Sequence, residues 1–248
     1  MQETFKSAGA VPALDFRGVT CRFAGKPGQP DYTATENVSF SVGAGEFVSV
    51  VGPTGCGQST ILNAAAGLLK PSEGEVRVFG ERLNGINRRA GYMFQAESLT
   101  PWATAYENVV MGLRYRGVPE AERREAGMSW LARVGLDRFA DRYPHELSGG
   151  MRKRVALAQT LVTDPDILLM DESFSALDIQ TRQLMENELL EIWQSAKKAV
   201  LFITHDLDEA VSMSDRVVVL SAGPASHPIG NFPIELPRPR NVVEIRTT

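Results

Sequence analysis

Gly52-Pro-Thr-Gly-Cys-Gly-Gln-Ser59 has the frame of a phosphate-wrapping loop whose one cation is missing. Gly52, Gly57 and Ser59 satisfy the pattern Gly-x-x-x-x-Gly-Lys-[Ser/Thr], and Gln58 stands where Lys belongs. Glycines let the backbone fold around phosphate, and N–H groups at a following helix start point at negative charge. The frame points to a nucleoside triphosphate; the substitution points to impaired turnover. A second group of residues supports the first. Ile167-Leu-Leu-Met-Asp171-Glu172 is an apolar run ending in two acids. In a phosphate-loop protein such an Asp holds Mg²⁺ beside the loop hydroxyl, here Ser59, and the neighbouring Glu can polarise an attacking water. A strand end merely solvated by charge is the competing account. A third group, Leu147-Ser-Gly-Gly-Met151, opens a helix that Ser148 can cap and whose two glycines leave the N-terminus bare. One nucleotide needs one such helix start per chain, so two of them suggest that a second copy closes over the first.

The elements that must position these groups alternate. Phe47–Val51 is a β-branched apolar run, predicted as a buried strand, and Ser59 to Leu69 has helical spacing up to Pro71. Before them, residues 13–51 hold strand-like runs interrupted by the turn Gly25-Lys-Pro-Gly-Gln-Pro30. Gly74–Phe79 alternates as a strand, and Gly91–Gln95 is another. Residues 102–143 are mainly helical, including Pro119–Val134, and a further helix is expected from Ser148 to about Thr163. Strands at Ile167–Met170, Val200–Ile203 and Val217–Leu220 flank a long helix at Ile179–Lys197. The tail from Pro224 is loop with room for an edge strand. Helices between apolar strands predict an α/β fold with a mainly parallel sheet, interrupted by a helical insert at about 96–160.

Composition bounds the partners. The 248 residues suffice for one large domain, and the net charge of −4 implies no general attraction to polyanions. Arg152-Lys-Arg154 is a short basic run better explained as a helix face or as attraction to phosphate than as a nucleic-acid site. Cys21 and Cys56 have no metal-type spacing, so reduced thiols are expected. No signal peptide is visible, and no apolar run approaches the ~18 residues of a membrane span. Action at a membrane would therefore run through a partner.

Together these motifs resemble the ATP-binding subunits of ABC transporters, and the likeness spans roughly residues 12–222. Leu147-Ser-Gly-Gly-Met151 is similar to the family's signature motif, Gln95 to its Q-loop, Ser175-Ala-Leu-Asp178 to its D-loop and His205 to its switch histidine, all in family order. Gln95-Ala-Glu-Ser-Leu-Thr-Pro-Trp102 with Met151 resembles the nitrate, sulfonate and taurine importers. The resemblance implies a P-loop NTPase fold with a RecA-like mixed sheet core, an antiparallel β subdomain and a helical subdomain, making one ATPase domain over 1–248. It implies ATP and Mg²⁺ as ligands. Gly52, Pro53, Thr54, Gly55, Cys56, Gly57, Gln58, Ser59 and Thr60 would wrap the phosphates. Ser59, Gln95 and Asp171 would surround the metal, Glu172 would be the base, and His205 would touch the γ-phosphate. Phe23 would stack on adenine, although it could equally be a core aromatic, and Tyr32 competes for the role. Ser148, Gly149 and Gly150 would reach the nucleotide of the other subunit, with Asp178 at the interface. The implied partners are a second copy, membrane permease subunits on whose cytoplasmic face the protein sits and, indirectly, a periplasmic or lipid-anchored solute-binding protein; no nucleic acid is implied. Trp102 would face the permease, or be a core residue.

The chain departs from the family at three places. Gln58 removes a charge, Ser173 stands where Pro is usual after the Asp-Glu pair, and Gln159 stands where Arg is usual. An engineered substitution, a naturally degenerate subunit, or another Lys reaching in would each account for Gln58. The rival function is a non-hydrolysing nucleotide-binding regulatory or assembly subunit. A soluble repair or translation factor of the same family is disfavoured by the single cassette without a coiled-coil insert.

Overall fold

Leu14-Asp-Phe-Arg and Val38-Ser-Phe-Ser alternate apolar with polar side chains, which gives strands one buried face. They lie in β1 (Leu14–Phe23) and β2 (Tyr32–Val42), an antiparallel pair in which Phe16 opposes Phe40 and the two rings stack 4.5 Å apart. The computed structural model describes residues 11–96, 98–174, 179–238 and 240. Two compact units divide the chain. One is built from the chain up to Asn87 and from Lys197 onward, the other from Arg88–Ala196.

In the first unit β3 (Phe47–Val51) is buried at every position and leads through residues 52–57 into α1 (Gln58–Ala66). β4 (Glu73–Val78) and β5 (Glu81–Arg82) follow and complete an antiparallel sheet ordered β2-β1-β4-β5. The helix expected to reach Leu69 ends three residues sooner. Gly67 adopts φ 71°, and a Cβ there would lie 1.8 Å from the Gly85 carbonyl oxygen, so the chain turns at the only residue type that fits.

The second unit runs from β6 (Ala90–Met93) through α2 (Ala105–Tyr115), α3 (Glu120–Arg133) and α4 (Gly149–Leu161) to β7 (Ile167–Asp171) and α5 (Ile179–Ala196). β6 and β7 pair in parallel. Val109 and Leu113 of α2, Leu131 of α3 and Val155 and Ala158 of α4 bury against one another in a helical core. Thr104 caps α2 reciprocally with Glu107.

The chain then returns to the first unit with β8 (Ala199–Ile203), α6 (Leu207–Met213), β9 (Arg216–Leu220) and β10 (Pro228–Pro233). β3 pairs in parallel with both β8 and β9, and β10 joins β9 antiparallel, so this sheet is mixed. The continuous apolar runs of β3 and β8 suit strands covered on both faces. β10 is the edge strand for which the tail had room. α6 was not foreseen: its seven residues are too few to show a helical period, although Asp206 caps it by accepting from the N–H groups of Asp208 and Glu209. Among the described residues no helix is long and apolar enough to cross a membrane.

Candidate functional site

The phosphate loop is shaped by its glycines. Gly55 and Gly57 have φ 80° and 85°, a region that L side chains avoid. At Gly57 a Cβ would also lie 2.7 Å from Thr35 Cγ2, whereas at Gly55 the space is open. α1 begins at Gln58 with no side-chain cap. The N–H groups of its first turn, from Gln58, Ser59 and Thr60, therefore have no intrahelical acceptor, and the helix dipole adds positive potential there. Pro53, Thr54 and Ser59 are exposed, and Cys56 is buried beneath them. Burial pushes the Cys56 thiol up, with the backbone N–H groups of Gln58 and Cys56 acting weakly the other way.

Gln58 does not reach outward. It is 8% exposed, and its Nε2 donates to the backbone oxygens of Val50, at 3.1 Å, and Thr204, at 3.3 Å. Two carbonyl acceptors fix which end of the amide carries the hydrogens and occupy both of them. The amide thus ties the loop to the residue preceding His205, which is itself exposed at the end of β8. Phe23 and Tyr32 oppose each other in the β1–β2 register and are 41% and 49% exposed. Residues paired across antiparallel strands share a face, so the two aromatic candidates lie side by side on one face.

In the second unit β7 delivers Asp171 to its C-terminal end, buried, with Glu172 next at φ 40°. A non-glycine residue held at positive φ is strained and is typical of functional positions. Gln95 Nε2 donates to Glu172 Oε2 at 2.8 Å, and Lys153 Nζ of α4 donates to the Gln95 backbone oxygen at 2.5 Å. Burial, then the Asp171 charge and a hydrogen bond to it, hold the Tyr92 hydroxyl protonated far above the usual phenol range. Tyr92 also stacks on Phe94, with centroids 4.2 Å apart. Ser173 is fully buried and its hydroxyl has no partner among the described residues. Ser148 Oγ accepts from the Met151 N–H and caps α4. A Cβ at Gly149 would meet nothing nearer than Arg152 Nη2 at 3.8 Å, so this helix tip is open.

Arg152 and Arg154 donate to the Leu147 and Val134 carbonyls, so the basic run is engaged with its own backbone. Trp102 is 80% and Tyr115 84% exposed, and they rim a hollow lined by Glu107, Met111 and Arg114. Trp102 is therefore no core residue. Ser175-Ala-Leu-Asp178 lies outside the described residues. Within the first unit the structure brings together the loop, Gln58 and the segment of His205. Within the second it brings together Gln95, Glu172 and the signature helix. Sequence reasoning missed Tyr92 and took Lys153 only as part of a basic run, because the contacts that set them beside Asp171 and Gln95 are made across the fold.

The chain is similar to known proteins. The family profile described as ABC transporter matches residues 35–175. The chain is 48% identical over 212 residues to an uncharacterised ABC transporter ATP-binding protein of Methanocaldococcus jannaschii, covering 85% of this chain and 79% of that one. It is 45% identical over 204 residues to a nitrate import ATP-binding protein of Synechocystis sp., covering 82% and 76%. Among solved structures, the dimeric ATP-binding cassette MJ0796 in a post-hydrolysis state bound to ADP and Pi matches with a TM-score of 0.80 and 32% identity. That match covers 90% of this chain and 99% of that one.

Proposed function

The chain belongs to the ABC transporter family of ATP-binding proteins, and from that premise we propose that it is the subunit that binds and hydrolyses ATP to power import of a small nitrate-, sulfonate- or taurine-like solute through a separate permease. It acts as one ATPase domain with a helical insert at about 96–160, as a homodimer, held peripherally on the cytoplasmic face of the membrane by the permease. A solute-binding protein feeds the permease from the other side. Trp102 and Tyr115, exposed at the rim of their hollow, suit a docking surface for that partner.

Phe23 and Tyr32 stack on adenine, and residues 52–60 surround the phosphates. Ser59, Gln95 and Asp171 offer a hydroxyl, an amide oxygen and a carboxylate, an all-oxygen set that suits Mg²⁺. The Gln95 oxygen is the free end of that amide, since its nitrogen is given to Glu172. Mg²⁺ held by these residues would supply positive charge against the triphosphate. Glu172, whose Oε2 accepts from Gln95, takes the proton of the attacking water. His205 donates to the γ-phosphate. Ser148, Gly149 and Gly150 of a second copy close on the same phosphate, with Asp178 at the interface.

The single observation that carries this proposal is the phosphate loop: two left-handed glycines leading to an uncapped helix start directly after a buried strand. Gln58 limits what the loop can do. A Lys would contribute a charge-assisted bond of about 1.5–3 kcal/mol, roughly ten- to a hundredfold in affinity. A donor lost from developing charge costs about 10²–10³ in rate. Binding therefore survives better than hydrolysis. The Gln58 amide, bonded on both hydrogens to backbone, also favours a second reading, a non-hydrolysing nucleotide-binding regulatory or assembly subunit. ATP turnover of the chain and of Gln58→Lys, each alone and with permease, separates the two. Turnover restored by Lys supports the ATPase; tight ATP binding without turnover in both forms supports the regulatory subunit.

A further inference from the structure

The turn joining β9 to β10 packs on the phosphate loop within the first unit. Ser226, fully buried in that turn, donates through Oγ to the backbone oxygen of Cys56. A Cβ on Gly223 would sit 3.1 Å from the Gly55 oxygen and 3.6 Å from Cys56 Cα, so the turn touches two consecutive loop residues. The turn is itself fixed to β2. Ala225 N donates to Thr33 O at 2.8 Å, Ser226 N to Ala34 O at 3.2 Å, and Ser226 O accepts from Glu36 N at 2.9 Å. Thr35 and Ser226 form an isolated parallel bridge.

The Cys56 carbonyl and the Gly57 N–H belong to one planar trans peptide, so they point in opposite directions. Holding the carbonyl toward Ser226 aims the Gly57 N–H away from it, to the other side of the loop. Gly57, in the left-handed region and crowded by Thr35 and Ala34, offers the backbone few other settings. We propose that Ser226 is a positioning residue for phosphate binding: its hydroxyl sets the Cys56–Gly57 peptide so that the Gly57 N–H faces the triphosphate. Without a Lys at 58, backbone donors carry most of the attraction in this loop, and the orientation of each peptide counts for more. The inference rests on the nucleotide-binding function proposed above.

The test is Ser226→Ala in the full chain, made in both the parent and the Gln58→Lys background. Mg·ATP affinity is measured by calorimetry and adenosine binding by saturation-transfer NMR at millimolar concentration. Mg·ATP affinity should fall about tenfold, the effect of one misdirected neutral donor, with adenosine binding unchanged. Unchanged Mg·ATP affinity overturns the proposal. A joint loss of ATP and adenosine, including loss through failure to fold, gives Ser226 a structural role alone and also overturns it. If Gln58→Lys with Ser226 intact binds no Mg·ATP, the nucleotide function itself falls, a result separable from either of these.

Discussion

Gln58 shows how one side chain can leave a frame intact and change its chemistry. The frame is legible in sequence because Gly55 and Gly57 answer local backbone demands, and such demands are met by residue type alone. The fate of the amide is not legible, since its acceptors lie on β3 and 146 positions away at Thr204. Gln58→Lys should raise Mg·ATP affinity by about ten- to a hundredfold, the worth of a charge-assisted bond. It should raise turnover by about 10²-fold or more, read by phosphate release. An ammonium there also frees the carbonyl before His205 from the amide, so a rise in affinity without a rise in rate would mean that neither the missing charge nor the tie to Thr204 limits the reaction. Cys56 tests the loop from beneath. Burial raises its thiol pKa, so the fold favours the neutral form. That contribution is fully present below the unfolded thiol value of about 8.5 and is lost as pH climbs through the higher folded value. Iodoacetamide at pH 8 should therefore label Cys56 far more slowly in the folded chain than in urea, as followed by mass spectrometry.

At the scale of elements, the long apolar runs and the helices long enough to show a period are legible, because strand burial and helical spacing are written within a short stretch of chain. Phe47–Val51 and Ile167–Asp171 are examples, buried at every position. What is not legible is where elements stop against distant chain. α1 has helical spacing as far as Leu69, yet it ends at Gly67 because the Gly85 backbone passes too close for any side chain. Gly85 is itself at φ 76°, but open space surrounds it. The two glycines therefore separate strain from crowding. Gly85→Ala should cost about 1–2 kcal/mol, the penalty of a left-handed Cβ. Gly67→Ala should cost about 2–5 kcal/mol, since overpacking against backbone adds to the same strain. Urea unfolding midpoints at constant slope measure both, and equal losses would show that the Gly85 carbonyl yields easily. A second case lies at the end of α6. Arg240 donates to the carbonyls of Val211, Ser214, Ile234 and Leu236, so it takes up acceptors that the last turn of a short helix leaves open. Arg240→Ala should lower stability by about 1–3 kcal/mol by leaving those acceptors to water. Nothing near residue 240 in the sequence announces this, because the clamp joins positions 26–29 residues apart.

For the whole molecule the open question is why one chain has two bare helix starts. The loop's helix tip follows two left-handed glycines, Gly55 and Gly57, and the α4 tip is capped by Ser148 yet unobstructed at Gly149. A capped helix start satisfies one of its own donors and still presents the others with the positive end of its dipole. If a second copy supplies that tip, nucleotide should hold two chains together, and hydrolysis should release them. The double variant Gln58→Lys with Glu172→Gln supplies the missing charge and removes the base, so it should trap the closed pair. Light scattering after size exclusion should then show the mass doubling from 27.1 kDa with Mg·ATP and staying single with Mg·ADP. Adding Gly149→Asp places a carboxylate where the γ-phosphate of the partner's nucleotide would approach. At ~4 Å and an effective dielectric near 20, two unit charges repel by about 4 kcal/mol, enough to shift association by roughly a thousandfold. The triple variant should therefore remain single with Mg·ATP while binding that nucleotide as tightly as the double variant does. Loss of nucleotide binding together with association would place Gly149 in the chain's own pocket, and the two-copy arrangement would fall.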